Sequence, residues 1–355
     1  MSTDPTDRRV QTVALSVLAV VAAGFALNWL RPVLIPFVLA VFLTWIIEPV
    51  VGVGVRRLRM PRWLSLVVAL LIGFVVLTAV GALVSSSVKQ LAGNSAAYQQ
   101  RLLELADRAT SLLAGFGFDT GVDALRDQLA SLPFGSMLMK TTGALVDMLS
   151  NTFLVLVFTV YLLIGQSDHN TNENAGDNLW AEIDRRVQGY IVTKVALSAA
   201  TGIATWLILA VLGIDLALVF GVMAFVLNFI PNVGSIIATL LPLPIVAVSP
   251  DISPLVATLA IALPGVVQLV VGNVIEPKVI GDSLELHPIT ILLALILWGM
   301  LWGMVGMVLA APITAVLRLL LDQFDSTRPI AAMMAGQMDA IRGRAAPPSP
   351  THDDE

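Results

Sequence analysis

The sequence has no cysteine, only 3 histidines, and 13% Asp, Glu, Lys and Arg in 355 residues. Each scarcity excludes something. Without cysteine there is no disulfide framework, no thiolate metal site and no thiol nucleophile. His169, His287 and His352 fall in separate loops, so no histidine-based metal centre is expected. Charge stands at about half the ~25% usual for a soluble domain, while 57% of residues are apolar. Too little polar surface exists to cover a globule in water, so lipid must be the outer solvent. No HExxH, Gly-x-Ser-x-Gly, Walker A or dinucleotide fingerprint occurs, and no basic patch fits a nucleic acid. The expectation is a non-enzyme without cofactor, and the missing Walker A removes ATP-driven transport from within this chain.

What is present is apolar length. A helix needs ~20 apolar residues to cross a ~30 Å hydrocarbon core, with ~17–25 tolerated. Eight charge-free stretches qualify or nearly so: Val10–Leu30, Pro32–Ile47, Trp63–Val88, Met148–Ser167, Val195–Ile214, Leu216–Pro250, Ile252–Ile275 and Pro288–Leu317. Val10–Leu30, at 21 residues, exceeds the ~7–15 of a signal-peptide core and reads as a retained span. The fold class is therefore all-α, a polytopic transmembrane helical protein of about eight spans.

Two stretches are too long for one straight crossing. Leu216–Pro250 has 35 residues, which as one helix would reach about 52 Å. Pro231-Asn232-Val233-Gly234 interrupts it, predicting helix, break, helix. Pro288–Leu317 carries Gly299, Gly303 and Gly306 at its centre, predicting a break or a tight helical hairpin. Basic residues gather at Arg8 and Arg9, at Arg56, Arg57, Arg59 and Arg62, at Arg185, Arg186 and Lys194, and at Arg318, Arg328, Arg342 and Arg344. Placing all four groups in the cytoplasm requires an even number of crossings, eight, or ten if both long stretches fold back, with both termini inside.

Five regions follow. Residues 1–88 form an N-terminal three-span region, and 89–147 extracytoplasmic amphipathic helices. Residues 148–194 hold the fourth span and a cytoplasmic loop and helix, 195–321 a transmembrane transport core, and 322–355 a polar cytoplasmic tail.

Charge at membrane depth costs about 2.5–3.5 kcal/mol on insertion scales, so the residues that bear it, or that break helices, are the site candidates. Glu48 precedes Pro49 at the end of the second span. Glu276 is followed by Pro277 and Lys278, where a broken backbone and a local ion pair could coexist; Glu48 and Asp215 also read as interfacial residues. At the Pro231 break the ring removes a hydrogen-bond donor and frees carbonyls of the preceding turn, which in lipid need protein or a water-lined cavity. Discontinuous helices of this kind hold substrates and coupling ions in secondary transporters. Asn228, Pro231, Asn232 and Gly234 at the break, with Gln268 and Asn273 on the following span, complete the set. A plain interhelical kink is the competing reading of the break, and packing that of the Gly299–Gly306 series.

At these residues the sequence resembles the autoinducer-2 exporter family of bacterial permeases. The resemblance is carried by Gly189-Tyr-Ile, Leu212-Gly-Ile-Asp-Leu-Ala-Leu, Asn228-Phe-Ile-Pro-Asn-Val-Gly234, Glu276-Pro-Lys-Val-Ile-Gly281, Leu286-His-Pro288 and the run from Gly303 to Pro312. It departs at Asn232, where an aromatic is common, and at Ser235, where a second proline is common. The resemblance implies about eight spans in the bacterial inner membrane, cytoplasmic termini and homo-oligomers. It also implies transport: some members export autoinducer-2, others exchange sodium for protons. Three functions stay open on the sequence: an exporter of a small polar solute, a cation/proton antiporter working through Glu48 and Glu276, and a membrane scaffold using the segment 89–147.

Overall fold

The computed structural model describes residues 5–93, 100, 104, 154–165, 177–231, 233–249, 252–280 and 286–337. Among them every regular element is helical. Most of the expected external helices in 89–147, the loop 166–176, Asn232 and the tail from 338 lie outside the described residues. In chain order the helices are α1 (Pro5–Trp29), α2 (Arg31–Arg57), α3 (Arg62–Gly93), α4 (Leu154–Gly165), α5 (Asp177–Val211), α6 (Ala217–Leu227), α7 (Val233–Leu240), α8 (Leu243–Val248), α9 (Pro254–Val270), α10 (Glu276–Ile280), α11 (Pro288–Asp322) and α12 (Arg328–Met334). A π-helical turn, Val271–Ile275, joins α9 to α10.

Among the described residues five helical segments are long and apolar enough to cross a membrane: Arg31–Arg57, Arg62–Ser87, Arg185–Val211, Pro254–Ile280 and Pro288–Asp322. Their outward faces are what lipid requires. On α3, Leu71, Ile72, Phe74, Val75 and Val76 are all exposed, an arrangement that water would not tolerate. The protein is an all-α polytopic membrane protein.

The chain divides into two units by internal contact. The first comprises Met1–Val38, Asp168–Ile191 and Asp282–Glu355. Here α11 is not a straight helix. Gly303 sits at φ 64°, ψ −143°, a conformation open essentially to glycine alone. The Trp298 indole donates to the Thr314 hydroxyl at 3.1 Å across 16 residues of chain, a separation of about 24 Å in a continuous helix. A side chain at Gly306 would collide with the Trp298 carbonyl. The chain therefore reverses at Gly303, and α11 is a helical hairpin with its two arms in close contact. The Trp302 indole donates to the Leu27 carbonyl of α1 at 3.2 Å, and α12 packs on α11 with the Thr290 hydroxyl donating to the Met334 carbonyl at 2.9 Å.

The second unit comprises Leu39–Ser167 and Val192–Gly281. Helices α2 and α3 form its first layer: Gly54 admits Ser65, whose hydroxyl donates to the Val51 carbonyl at 2.9 Å. Ile47, Val51, Ala69 and Leu163 bury a shared apolar cluster there. Helix α5 ends in a Schellman motif. The Gly213 N–H donates to the Ala210 carbonyl and Ile214 N–H to the Leu209 carbonyl, with Gly213 at φ 71°. The apolar contact that accompanies such a cap is present too, because Leu209 and Ile214 join one buried cluster with Phe220, Val246 and Ala260.

The break foreseen at Pro231 is real. Helix α6 ends at Leu227, and the Phe229 and Ile230 N–H groups donate to Val226 and Leu227 carbonyls, tightening the last turn. Pro231 adds no donor, and the chain restarts as α7, which packs back on α6 and onto α9. Gly234 permits the close approach: any side chain there would overlap the Leu227 carbonyl.

Candidate functional site

Helix α5 carries the first half of the site. Lys194, Ser198, Thr201 and Thr205 are each 1% exposed or less. Their spacing of four, three and four residues places all of them within an arc of about 60° on an α-helix. Four buried polar side chains on one face of a membrane helix demand partners. Three find them. Lys194 Nζ pairs with Glu276 Oε1 at 2.5 Å. The Asn228 amide, at the end of α6, donates to the Ser198 hydroxyl at 3.0 Å. The Thr201 hydroxyl donates to the Leu197 carbonyl at 2.9 Å. The Thr205 hydroxyl has no hydrogen-bond partner among the described residues.

Helix α9 supplies the second half. Gln268 is 4% exposed, and neither its Oε1 nor its Nε2 has a partner among the described residues. On an uninterrupted helix Gln268 and Glu276 would diverge by about 80° around the axis. The π-turn at Val271–Ile275 absorbs one extra residue and reduces that divergence to about 20°. It aligns the unpaired amide and the ion-paired carboxylate on one face. Pro277, just beyond, cannot donate to the Asn273 carbonyl, so the ladder is already interrupted where the π-turn sits.

The two helices run antiparallel. Helix α5 leads from Lys194 to the apolar cluster at Leu209, whereas α9 leads from the same cluster, at Val256, Ala257 and Ala260, to Glu276. Close packing elsewhere tightens this arrangement: Gly202 on α5 meets the Gly221 carbonyl of α6 with no room for a side chain. The result is a buried polar seam between α5, the end of α6 and α9. An ion pair lies at one end and an apolar cluster at the other.

The family model for the AI-2E family transporter matches residues 15–325. The chain belongs to the AI-2E transporter family. It is 29% identical over 330 residues to the AI-2 transport protein TqsA of Escherichia coli (strain K12), covering 91% of this chain and 94% of that one. A Haemophilus influenzae protein is 25% identical over 92% of this chain and 96% of its own length. The Escherichia coli protein YhhT is 24% identical over 94% and 97%. This AI-2E member is thus a multi-pass bacterial membrane transporter that sits in the bilayer and handles small solutes.

Within the AI-2E chain the structure gathers some of the expected residues and disperses others. Asn228 and Glu276 meet polar residues of α5, Gln268 is buried on the face of α9 that Glu276 shares, and Pro231 and Gly234 shape the break after α6. Asn273, Pro277 and Lys278 are exposed, and the partner of Glu276 is Lys194 rather than the adjacent Lys278. Glu48 is half-buried on α2. Asn232 lies outside the described residues.

Lys194 is the main revision. Counted with Arg185 and Arg186 as a basic group before a span, it stands instead inside the continuous helix α5, 1% exposed. The signal that could have revealed it is the face it shares with Ser198, Thr201 and Thr205.

Proposed function

We propose that this AI-2E member is a secondary transporter of the bacterial inner membrane that exports a small polar metabolite such as autoinducer-2. The single observation that supports this most is the buried Lys194–Glu276 pair, which forms one end of a polar seam beside a broken helix. Lys194 is fully buried and Glu276 largely so, and an ion pair taken out of water is weak evidence for stability, because its desolvation offsets its attraction. Its retention at membrane depth is better accounted for by transport. In this reading α6 and α7 move about the Pro231–Gly234 break to alternate access, and Asn228 and Gln268 contact the solute. The name of TqsA, an AI-2 transport protein, supports the choice of cargo.

The same pair favours a second reading, cation/proton antiport. In that reading a carboxylate releases its proton as it accepts sodium and takes the proton back when sodium leaves, with the Lys194 ammonium standing beside Glu276 in the sodium-free state. Glu48, half-buried on α2, would be a second carboxylate for such coupling.

For either activity we place both termini in the cytoplasm with eight to ten crossings, the two fold-back stretches accounting for the range, and the protomers in a homo-oligomer. The five regions drawn from the sequence serve as its working domains. In a strain deleted for its own exporter, expression of this chain should raise extracellular autoinducer-2 and lower the intracellular pool. Unchanged accumulation outside the cells rejects autoinducer-2 as cargo. Growth of a salt-sensitive, antiporter-deficient strain checks the second reading: rescue by the wild type and not by Glu276→Gln is required.

A further inference from the structure

Between the Lys194–Glu276 pair and the apolar cluster around Leu209 and Ala260, the seam has a midpoint. On α9 it is Gln268, about 12 Å from Glu276 and about 12 Å from Ala260 at the rise of a helix. On α5 the same height falls at Thr201 and Gly202. The apolar cluster and the ion pair are about 22–24 Å apart along the two helices, most of a ~30 Å hydrocarbon core, so Gln268 stands near mid-membrane. Among the described residues its amide has both an acceptor and a donor buried and without a partner.

An idle buried amide costs roughly 1–3 kcal/mol, and leucine or methionine would fill the same space without that cost. The surroundings say what the amide is suited to meet. From Val195 to Val211 on α5, throughout α6, α7 and α8, and from Pro254 to Ile275 there is no charged residue. The one ion pair of the seam is internally neutralised. Among the described residues of these helices an ion at this height would find no countercharge and would carry its desolvation penalty. A neutral molecule with neighbouring hydroxyl or carbonyl groups would find a carbonyl oxygen to accept from it and an NH2 to donate to it, with the unpaired Thr205 hydroxyl one turn of α5 beyond Thr201.

We infer that Gln268 is the solute-selecting residue of this transporter: it binds an uncharged, hydroxyl- or carbonyl-bearing molecule at mid-membrane and disfavours charged or phosphorylated ones. The inference rests on the exporter reading above and supplies its selectivity. Lys194 and Glu276 then close one end of the solute layer instead of contacting cargo.

Because the chain has no cysteine, a single Gln268→Cys substitution gives an unambiguous thiol. Methanethiosulfonate reagents react with the thiolate, which needs water nearby. In proteoliposomes, neutral methyl methanethiosulfonate should modify Gln268→Cys. The trimethylammonium-ethyl and sulfonatoethyl reagents should react at least about tenfold more slowly, because charge is expensive at that depth. Leu269→Cys, one residue on and 62% exposed on the outer face, should resist all three hydrophilic probes. Thr205→Cys, nearly isosteric, should repeat the pattern if Gln268→Cys fails to fold. Autoinducer-2 efflux through Gln268→Leu should fall at least about tenfold.

An inert thiol at both 268 and 205, or charged reagents reacting as fast as the neutral one, overturns the inference. The labelling readout does not depend on flux. Wild-type efflux with an inert thiol therefore sinks the inference alone. A reactive, charge-selective thiol without wild-type efflux sinks the choice of cargo alone.

Discussion

Lys194 and Glu276 are 82 residues apart in the chain and 2.5 Å apart in space. Between them the chain leaves α5 through a glycine cap, enters and leaves the broken segment α6–α8, and returns along α9. Together with the shared cluster of Leu209 and Ala260, this contact defines the antiparallel run of the two helices.

Removing one member of that pair strands the other. Glu276→Gln or Lys194→Met should each destabilise the protein by about 3–5 kcal/mol, whereas Lys194→Met/Glu276→Leu should recover most of the loss. Thermal unfolding of the detergent-purified variants measures this as a double-mutant cycle. All three variants should be transport-deficient, which separates the functional role of the pair from its structural one. A double variant with wild-type flux would reduce the pair to packing.

The Asn228–Ser198 bond is the second tie across the seam. Ser198→Ala leaves a buried amide without its acceptor and should cost about 1–3 kcal/mol. Asn228→Ala/Ser198→Ala should be no worse than Ser198→Ala alone, again read by thermal unfolding. Additive losses would show that the two side chains act separately.

Close approach at the Pro231 break depends on the absence of a side chain. Gly234→Ala drives a methyl group into the Leu227 backbone, and the expected loss is about 1–3 kcal/mol with the strain shared between α6 and α7. Gly73→Ala on α3 has open space around it and serves as the control, where alanine's helix propensity should make the change neutral or slightly stabilising. Equal stability of the two variants would contradict the packing described at the break.

Hairpin closure of α11 can be seen directly. Trp298→Cys/Thr314→Cys in the cysteine-free background should be joined by a short bifunctional thiol reagent, detected as mass gain of one cross-link. In a continuous helix the two thiols would lie about 24 Å apart and stay separate. The uncross-linked result would mean that the chain passes straight through Gly303.

Much of this fold was legible because hydrocarbon imposes a simple length rule. The apolar runs, the break at Pro231 and the reversal among Gly299, Gly303 and Gly306 all follow from counting residues and locating helix breakers. The site was legible in part. Asn228, Gln268 and Glu276 stood out as polar residues in apolar stretches; Asn228 and Glu276 bond to α5, and Gln268 is buried on the same face of α9 as Glu276. Lys194 did not stand out, because a lysine flanked by Arg185 and Arg186 upstream looks like the edge of a span. Its burial is decided by Glu276, far away in sequence. Nor could the π-turn be foreseen from Val271-Gly-Asn-Val-Ile275, since it is the one-residue adjustment that brings Gln268 and Glu276 to the same face, a tertiary demand with no local signature. Lys278 illustrates the reverse error: nearness in sequence to Glu276 did not bring a contact, because their side chains leave α10 in different directions.

Flux through purified protein tests the transport reading most directly. Proteoliposomes loaded with autoinducer-2 should release it faster with wild-type protein than empty vesicles do, and Glu276→Gln vesicles, with the same amount of folded protein, should match the empty ones. Release from Glu276→Gln vesicles at the wild-type rate would contradict a transport role for the Lys194–Glu276 seam.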